Sequence, residues 1–140
     1  MGVKNYDPTQ VKVIVGTHSV SGTAFGTFVT VKRTEDSFAL NVGSDGQGVR
    51  IKSSNKSGEV ELTLQQSSDS NLILSALLQT DELLSAGNFP LTIEDLSGTS
   101  LFFCETAWIK KPPDSAFGTE ENDRVWLFAS DNIVFNVGGN

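Results

Sequence analysis

Glu59 and Glu61 stand two residues apart in the stretch Glu59-Val60-Glu61-Leu62-Thr63-Leu64-Gln65. An extended chain puts residues so spaced on one face, and two carboxylates on one face are raw material for acid–base chemistry on a glycosidic bond. Water-facing strands also carry such pairs simply for solvation, which is the preferred reading. His18 is the only histidine, so a Ser-His-Asp triad or a histidine-rich metal site has a single candidate base. It lies in Gly16-Thr17-His18-Ser19-Val20-Ser21-Gly22, a turn-forming stretch that predicts a solvated side chain. Cys104 is the only cysteine, which rules out an intrachain disulfide and gives zinc no second thiolate. Inside an alternating strand it reads as a small core residue.

Phosphate and calcium loops fail on residue type. Gly43-Ser44-Asp45-Gly46-Gln47-Gly48 matches neither the dinucleotide fingerprint nor the P-loop, and Lys56-Ser57 follows Asn55 where a P-loop needs glycine. Ser44-Asp45-Gly46 lacks the later bidentate glutamate of a calcium loop. No cofactor, no metal and no catalysed reaction are expected.

The elements that must position these residues are mostly strands. Val11, Val13 and Val15 alternate with Lys12, Ile14 and Gly16. Alternation resumes from Phe28 to Arg33, and Thr34-Glu35-Asp36 reads as a short hairpin connection into Phe38, Leu40 and Val42, which share a face. Residues 43–48 form a flexible loop before a short strand, Val49 to Lys52. In 59–65 the polar Glu59, Glu61, Thr63 and Gln65 oppose Val60, Leu62 and Leu64, so one face is buried and the other wet. The period then changes: Ser67 or Ser68 caps a helix, Asp69 suits its first turn, and Leu72, Ile73, Leu77 and Leu78 supply its apolar side before Gly87 and Pro90 end it. Leu91–Leu96 and Leu101–Ile109 flank the turn Ser97-Gly98-Thr99, and Lys110-Lys111-Pro112-Pro113 stops the second strand. An acidic loop, 114–123, precedes a final long strand broken near Ser130-Asp131. The sum is a mainly β chain: a two-sheet β-barrel or sandwich of about eight strands with one flanking α-helix, in one domain over 1–140.

Composition narrows the function further. With 38% hydrophobic and 19% charged residues in 140, the chain is neither disordered nor membrane-spanning. Ten basic against 17 acidic residues give a net charge of −7, which denies it the basic footprint of nucleic-acid binders. The N-terminal Met1-Gly2-Val3-Lys4-Asn5-Tyr6 has no apolar signal region, and Tyr6 stands where myristoylation at Gly2 needs serine or threonine.

Several segments occur in collinear order across essentially the whole chain: Phe28-Val29-Thr30-Val31-Lys32-Arg33, then Glu35 through Gly43, Ser57-Gly58-Glu59 through Ser70-Asn71, Ala107-Trp108-Ile109-Lys110-Lys111-Pro112-Pro113, and the closing Gly138-Gly139-Asn140. The ordered set resembles the short tail tube proteins of contractile-tailed bacteriophages. That resemblance implies a two-sheet β-barrel with a flanking helix, related in fold to type VI secretion and pyocin tube proteins. It implies hexameric rings stacked into a hollow tube that conducts DNA into the host, with no reaction catalysed. The implied partners are further copies of the chain, the tail sheath protein, and baseplate and tail terminator proteins. It further implies that the tape measure protein and DNA pass through the lumen without specific binding, and that no membrane anchor is present. The implied location is the virion tail, after synthesis in the host cytoplasm.

Two sets of site residues follow from the resemblance. Glu59, Glu61, Thr63 and Gln65 are candidates for the lumen wall, where carboxylates repel phosphate over about 8 Å at physiological salt. The equal alternative is that they face solvent outside the ring, and Arg50 and Lys52, one strand away, are candidates to pair with them. Residues 36–52 are the candidate hairpin reaching neighbouring subunits or rings, through Asp36, Phe38, Gly43, Ser44, Asp45, Gly46, Gln47, Gly48, Arg50 and Lys52; its plainer reading is a mobile tip. Only 4 prolines blunt the sheet edges, which favours pairing between copies. Three other readings stay open: the tube of a tailocin-like particle, a monomeric β-sandwich ligand-binding module, and a small hydrolase acting through Glu59 and Glu61. The module would present Trp108 or Trp126 in a groove, although both lie in apolar stretches that read as core.

Overall fold

The computed structural model of the chain describes residues 2–139; Met1 of the N-terminal stretch and Asn140 of the C-terminal motif lie outside them. A 3-10 turn, Pro8–Gln10, leads into β1 (Val11–Val15), which turns back through Gly16 into the two-residue β2 (His18–Ser19). A long arm follows, built from β3 (Val29–Arg33), β4 (Phe38–Val42), β5 (Gly48–Lys52) and β6 (Gly58–Leu64). Helix α1 (Ser70–Leu84) separates the arm from β7 (Phe89–Asp95), β8 (Leu101–Lys111), β9 (Arg124–Ser130) and β10 (Ile133–Asn136). The larger sheet runs β2-β1-β7-β8-β9-β6-β3 with β10 also on β8, and β4 pairs β5 in a second sheet. This is the expected mainly β, two-sheet chain with one α-helix among the described residues, but the large sheet's path stays open from β2 to β3 and closes no barrel.

β8 pairs two successive strands along one edge. Its first half, Leu101 to Cys104, pairs with Asn136 to Ile133, and its second half, Ala107 to Ile109, pairs with Ser130 to Phe128, in one unbroken register. Along the other edge Leu91 faces Cys104 and Phe89 faces Ala107, so β8 carries one residue more than β7. That bulge reverses the side-chain alternation, and Cys104 and Ala107 are both buried although three residues apart. Ser130 and Ile133 repeat the same three-residue step on the facing edge. The break between them is patched by Ser130, whose Oγ lies 2.7 Å from the Thr106 carbonyl and accepts the Asn132 N–H at 3.3 Å.

Alternate positions of four strands supply most of the core: Val13 and Val15, Val60, Leu62 and Leu64, Leu91 and Ile93, Trp126 and Phe128. Each such side chain contributes roughly 1.5–3 kcal/mol relative to leaving it in water, so this pattern decides the register. Helix α1 plugs the core with Leu74, and Leu77 and Leu78 pack beside it. Leu72 and Ile73, expected on the same side, face outward, with Leu72 77% exposed. The inward stripe is Ser70, Leu74, Leu77 and Leu78, and its polar first member hides it from an apolar pattern. The N-cap is Asp69, not Ser67 or Ser68, so Asp69 stands just outside the first turn expected for it and its side chain makes no capping bond; Ser68, one residue earlier, still accepts the Ser70 N–H on its Oγ at 3.2 Å. The helix ends where Ser85 adopts φ 53°.

The arm departs from expectation. Thr34-Glu35-Asp36 is not a hairpin turn, because β3 pairs β6 (Val29↔Leu62 to Arg33↔Gly58) while β4 pairs β5 (Phe38↔Lys52 to Val42↔Gly48). Residues 34–37 and 53–57 are facing kinks in one two-stranded arm, and the longer second kink shifts the register by one. The tip turn is closed by Gly43 N–H to Gln47 O at 2.8 Å and by Asp45 Oδ1, which accepts the Gln47 N–H at 3.1 Å. Gly46 sits there at φ +86°, a conformation that penalises any Cβ.

Candidate functional site

β6 lies between β3 and β9, and its outward side chains form rows with theirs. Glu59 has Lys32 on one side and Ala129 on the other, with Trp108 of β8 beyond Ala129. Glu61 has Thr30 and Leu127, and Thr63 has Val125. Glu59, Glu61 and Thr63 are half-buried in this wall, whereas Gln65 lies past the strand end and is exposed. The Lys110 ammonium contacts Glu59 Oε1, and Lys32 Nζ lies 3.6 Å from Glu61 Oε2. Glu61 thus has a lysine from the adjacent β3, and Glu59 one from β8, reaching across β9. Arg50 and Lys52, the expected partners, sit instead on β5 at the arm tip, because the kinks take that strand out of the β6 sheet. The outer face is therefore acidic along β6 alone and close to balanced across the sheet. Beside Glu61 an open groove of ≈ 350 Å³ is lined by Lys111, Asp114, Asp123 and Val125, among others, with Lys111 Nζ 3.9 Å from Asp114 Oδ1.

An acid–base pair needs two carboxyls in unlike surroundings, so that one is protonated while the other is charged. Glu59 and Glu61 have like surroundings, half-buried and each beside an ammonium. His18 is not the solvated turn residue expected. It is half-buried, and its Nε2 lies 2.9 Å from the hydroxyl of Ser70, which is fully buried and also accepts the Ser21 N–H at 3.2 Å. The pair pins the β1–β2 turn to the start of α1, with the serine out of reach of any substrate. Cys104 is fully buried as expected, and burial pushes its thiol pKa up, against a smaller pull from the Ser130 hydroxyl. No cluster of three metal-ligating side chains occurs among the described residues. No helix among them is long and apolar enough to cross a membrane.

The arm tip is the most unusual surface. Phe38, Leu40 and Val42 share one face with Gly48, Arg50 and Lys52, while Val49 and Ile51 share the other with Asn41 and Ala39. Every residue of both strands is exposed, Leu40 by 72%. The Arg50 guanidinium stacks 4.3 Å over the Phe38 ring. Asp36 lies in the kink below, where Glu35 Oε2 accepts the Ser53 hydroxyl at 3.1 Å and the Ser53 N–H reaches Ser37 O at 2.8 Å. A two-stranded hairpin with apolar side chains on both faces and no cover is marginal alone in water.

Two features escaped the sequence reading. Trp126 is in the core as expected, but Trp108 stands half-buried on the outer face, since the β8 bulge reverses the phase that would have buried it. Helix α1 exposes Leu72, Ile73, Leu83 and Leu84 along its outer side, with Leu83 81% exposed. A helical-wheel reading anchored on Leu74 would have revealed that stripe.

Comparison with known proteins follows the same line. A structural protein of Pseudomonas phage KPP10, ORF10, is 34% identical over 143 residues, spanning 96% of this chain and 83% of that one. The tube-terminating cap of the anti-feeding prophage, known from cryo-EM, superposes with a TM-score of 0.63 over 97% of this chain and 94% of that one; at 9% identity the likeness is one of fold. Residues 7–138 match the family of the bacteriophage PhiTE tail tube protein, and the chain belongs to that family of phage tail structural proteins.

Proposed function

We propose that this chain forms hexameric rings that stack into the inner tube of a contractile phage tail, a conduit for DNA ejection into the host. One tail-tube domain over 1–140 does this without catalysis. The observation that carries the reading is the arm tip, whose apolar residues on two faces have no cover within their own chain. Burial against further copies removes that cost, and an open sheet path from β2 to β3 leaves strand edges for the same purpose. The outer face of β6, with Glu59, Glu61, Thr63 and Gln65, is the proposed lumen wall. Its carboxylates, balanced by Lys32 and Lys110, give a wet surface with no surplus of cations to hold a phosphate backbone. Sheath, baseplate and terminator proteins are the proposed partners outside and at the ends. The tape measure protein and then DNA are the proposed contents. The subunit is made in the host cytoplasm and ends in the virion tail.

Negative-stain electron microscopy of the purified protein at low and high concentration tests the reading. Rings or tubes with a stain-filled channel are expected. A monomer at every concentration that also forms no tubes on added baseplate would overturn it in favour of a monomeric binding module.

A further inference from the structure

Two exposed apolar surfaces on this chain are of comparable length and oppose in charge. The face of Phe38, Leu40 and Val42 runs along five-residue strands, about 17 Å at the rise of a strand. The stripe of Leu72, Ile73, Leu83 and Leu84 runs along a 15-residue helix, about 22 Å. β4 and β5 carry no acid and two cations, Arg50 and Lys52, on the Phe38 face. Helix α1 carries no Lys or Arg, and it places Asp81 and Glu82 at its C-terminal end, where the helix dipole is already negative. Asp81 is engaged, its Oδ1 accepting the Gly87 N–H at 3.1 Å, while Glu82 is exposed and faces solvent. A helix end of this kind calls for cations from elsewhere.

We infer that the outer stripe of α1 in one copy is the seat for the arm tip of the next. Leu40 and its row cover the leucines, and Arg50, held on that face by Phe38, lies against Glu82. The contact is heterologous: tip to helix, never tip to tip. Such a contact closes into a ring when the rotation between copies closes, and otherwise continues as a helix. The inference rests on the tube reading and adds the surface that receives the tip. The competing seat on the same chain is the apolar groove of Val11, Val29, Val31, Ile93 and Phe102, between β3 and β7.

Cysteine pairs in the full-length chain distinguish the two seats. Leu40→Cys with Leu83→Cys, oxidised after assembly, is expected to give a ladder of linked subunits on a non-reducing gel, and neither single variant should do so. Tubes without that ladder, or a ladder only from Leu40→Cys with Val29→Cys, would overturn the inference and leave the tube reading standing. Unmodified protein that never forms rings or tubes would overturn both. Charge exchange guards against a pair that fails to assemble. Arg50→Glu and Glu82→Lys should each raise the concentration needed for assembly about tenfold, and the two together should restore it to within about twofold. Absence of that rescue would overturn the inference.

Discussion

Trp126 donates its indole N–H to Asn71 Oδ1 at 2.9 Å, which ties the centre of β9 to the first turn of α1. The amide nitrogen of the same asparagine turns back to the preceding chain, donating to the Gln65 carbonyl at 3.0 Å and to that of Ser68 at 3.1 Å. One side chain thus satisfies a buried indole and closes the connection from β6 to the helix. The position of α1, and hence of its outer stripe, depends on this junction.

Replacing Asn71 should therefore cost more than one hydrogen bond. Asn71→Ala leaves the Trp126 N–H buried without an acceptor and is expected to destabilise by about 2–3 kcal/mol. Asn71→Asp keeps an acceptor for the indole but turns oxygen toward two carbonyls, so it should be no better than alanine. Urea unfolding followed by tryptophan fluorescence measures both, and an aspartate variant of wild-type stability would sink this account.

Gly58 and Gly46 should respond differently to alanine. A Cβ on Gly58 would lie 2.3 Å from the Lys32 carbonyl oxygen and 2.7 Å from Ile133 Cδ1, inside the sheet. Gly58→Ala is expected to cost about 2–3 kcal/mol of global stability. At Gly46 the space is open and only the positive φ objects, so Gly46→Ala should cost about 1 kcal/mol. That cost falls on a tip that packs on nothing, so the main unfolding midpoint should stay in place while assembly weakens. Equal shifts in the two midpoints would contradict the description of the arm.

The sequence made the wall of the fold legible and left its pairings hidden. In 59–65 a buried and a wet face alternate residue by residue, and β6 carries that pattern intact. The alternation of Phe38, Leu40 and Val42 looks the same on paper, yet nothing covers it, because alternation reports a preference for cover and not its presence within the chain. The lysines that pair with Glu59 and Glu61 come from β8 and β3, and such long-range neighbours cannot be read from local spacing. The β8 bulge has no local signature either, and it decides that Trp108 faces out. The turn residues around His18 suggest a surface, whereas its partner Ser70 lies in a helix far along the chain.

Cys104 gives the chain a measurable alkaline sensitivity. Burial raises its thiol pKa in the folded state, so the fold prefers the neutral form. The stability this contributes is whole below the ordinary thiol range and is lost as pH climbs through the unfolded and then the folded value. Cys104→Ala should be less stable than the wild type at pH 7 through lost packing, and the gap should narrow as the pH is raised. Paired urea titrations at neutral and alkaline pH read the gap directly, and a constant gap would refute the assignment.

The proposed lumen wall yields the sharpest functional test. Glu59→Lys with Glu61→Lys removes two carboxylates and leaves their partners Lys32 and Lys110 among two added ammonium groups. The wild-type face has no net surplus of cations, while the variant face would hold four in one patch. If that face lines the channel, each ring then offers a cationic collar, and counterion release favours DNA that lingers in the tube. Assembly should survive, because the substituted side chains point away from the core, at a cost near the usual value of about 0–1 kcal/mol for each exposed pair. Ejection should slow, and the delay should shrink as salt is raised, since the added attraction is screened. Normal ejection from particles carrying the variant tube would place the β6 face outside the channel, whereas a delay insensitive to salt would point to damaged assembly in place of retained DNA.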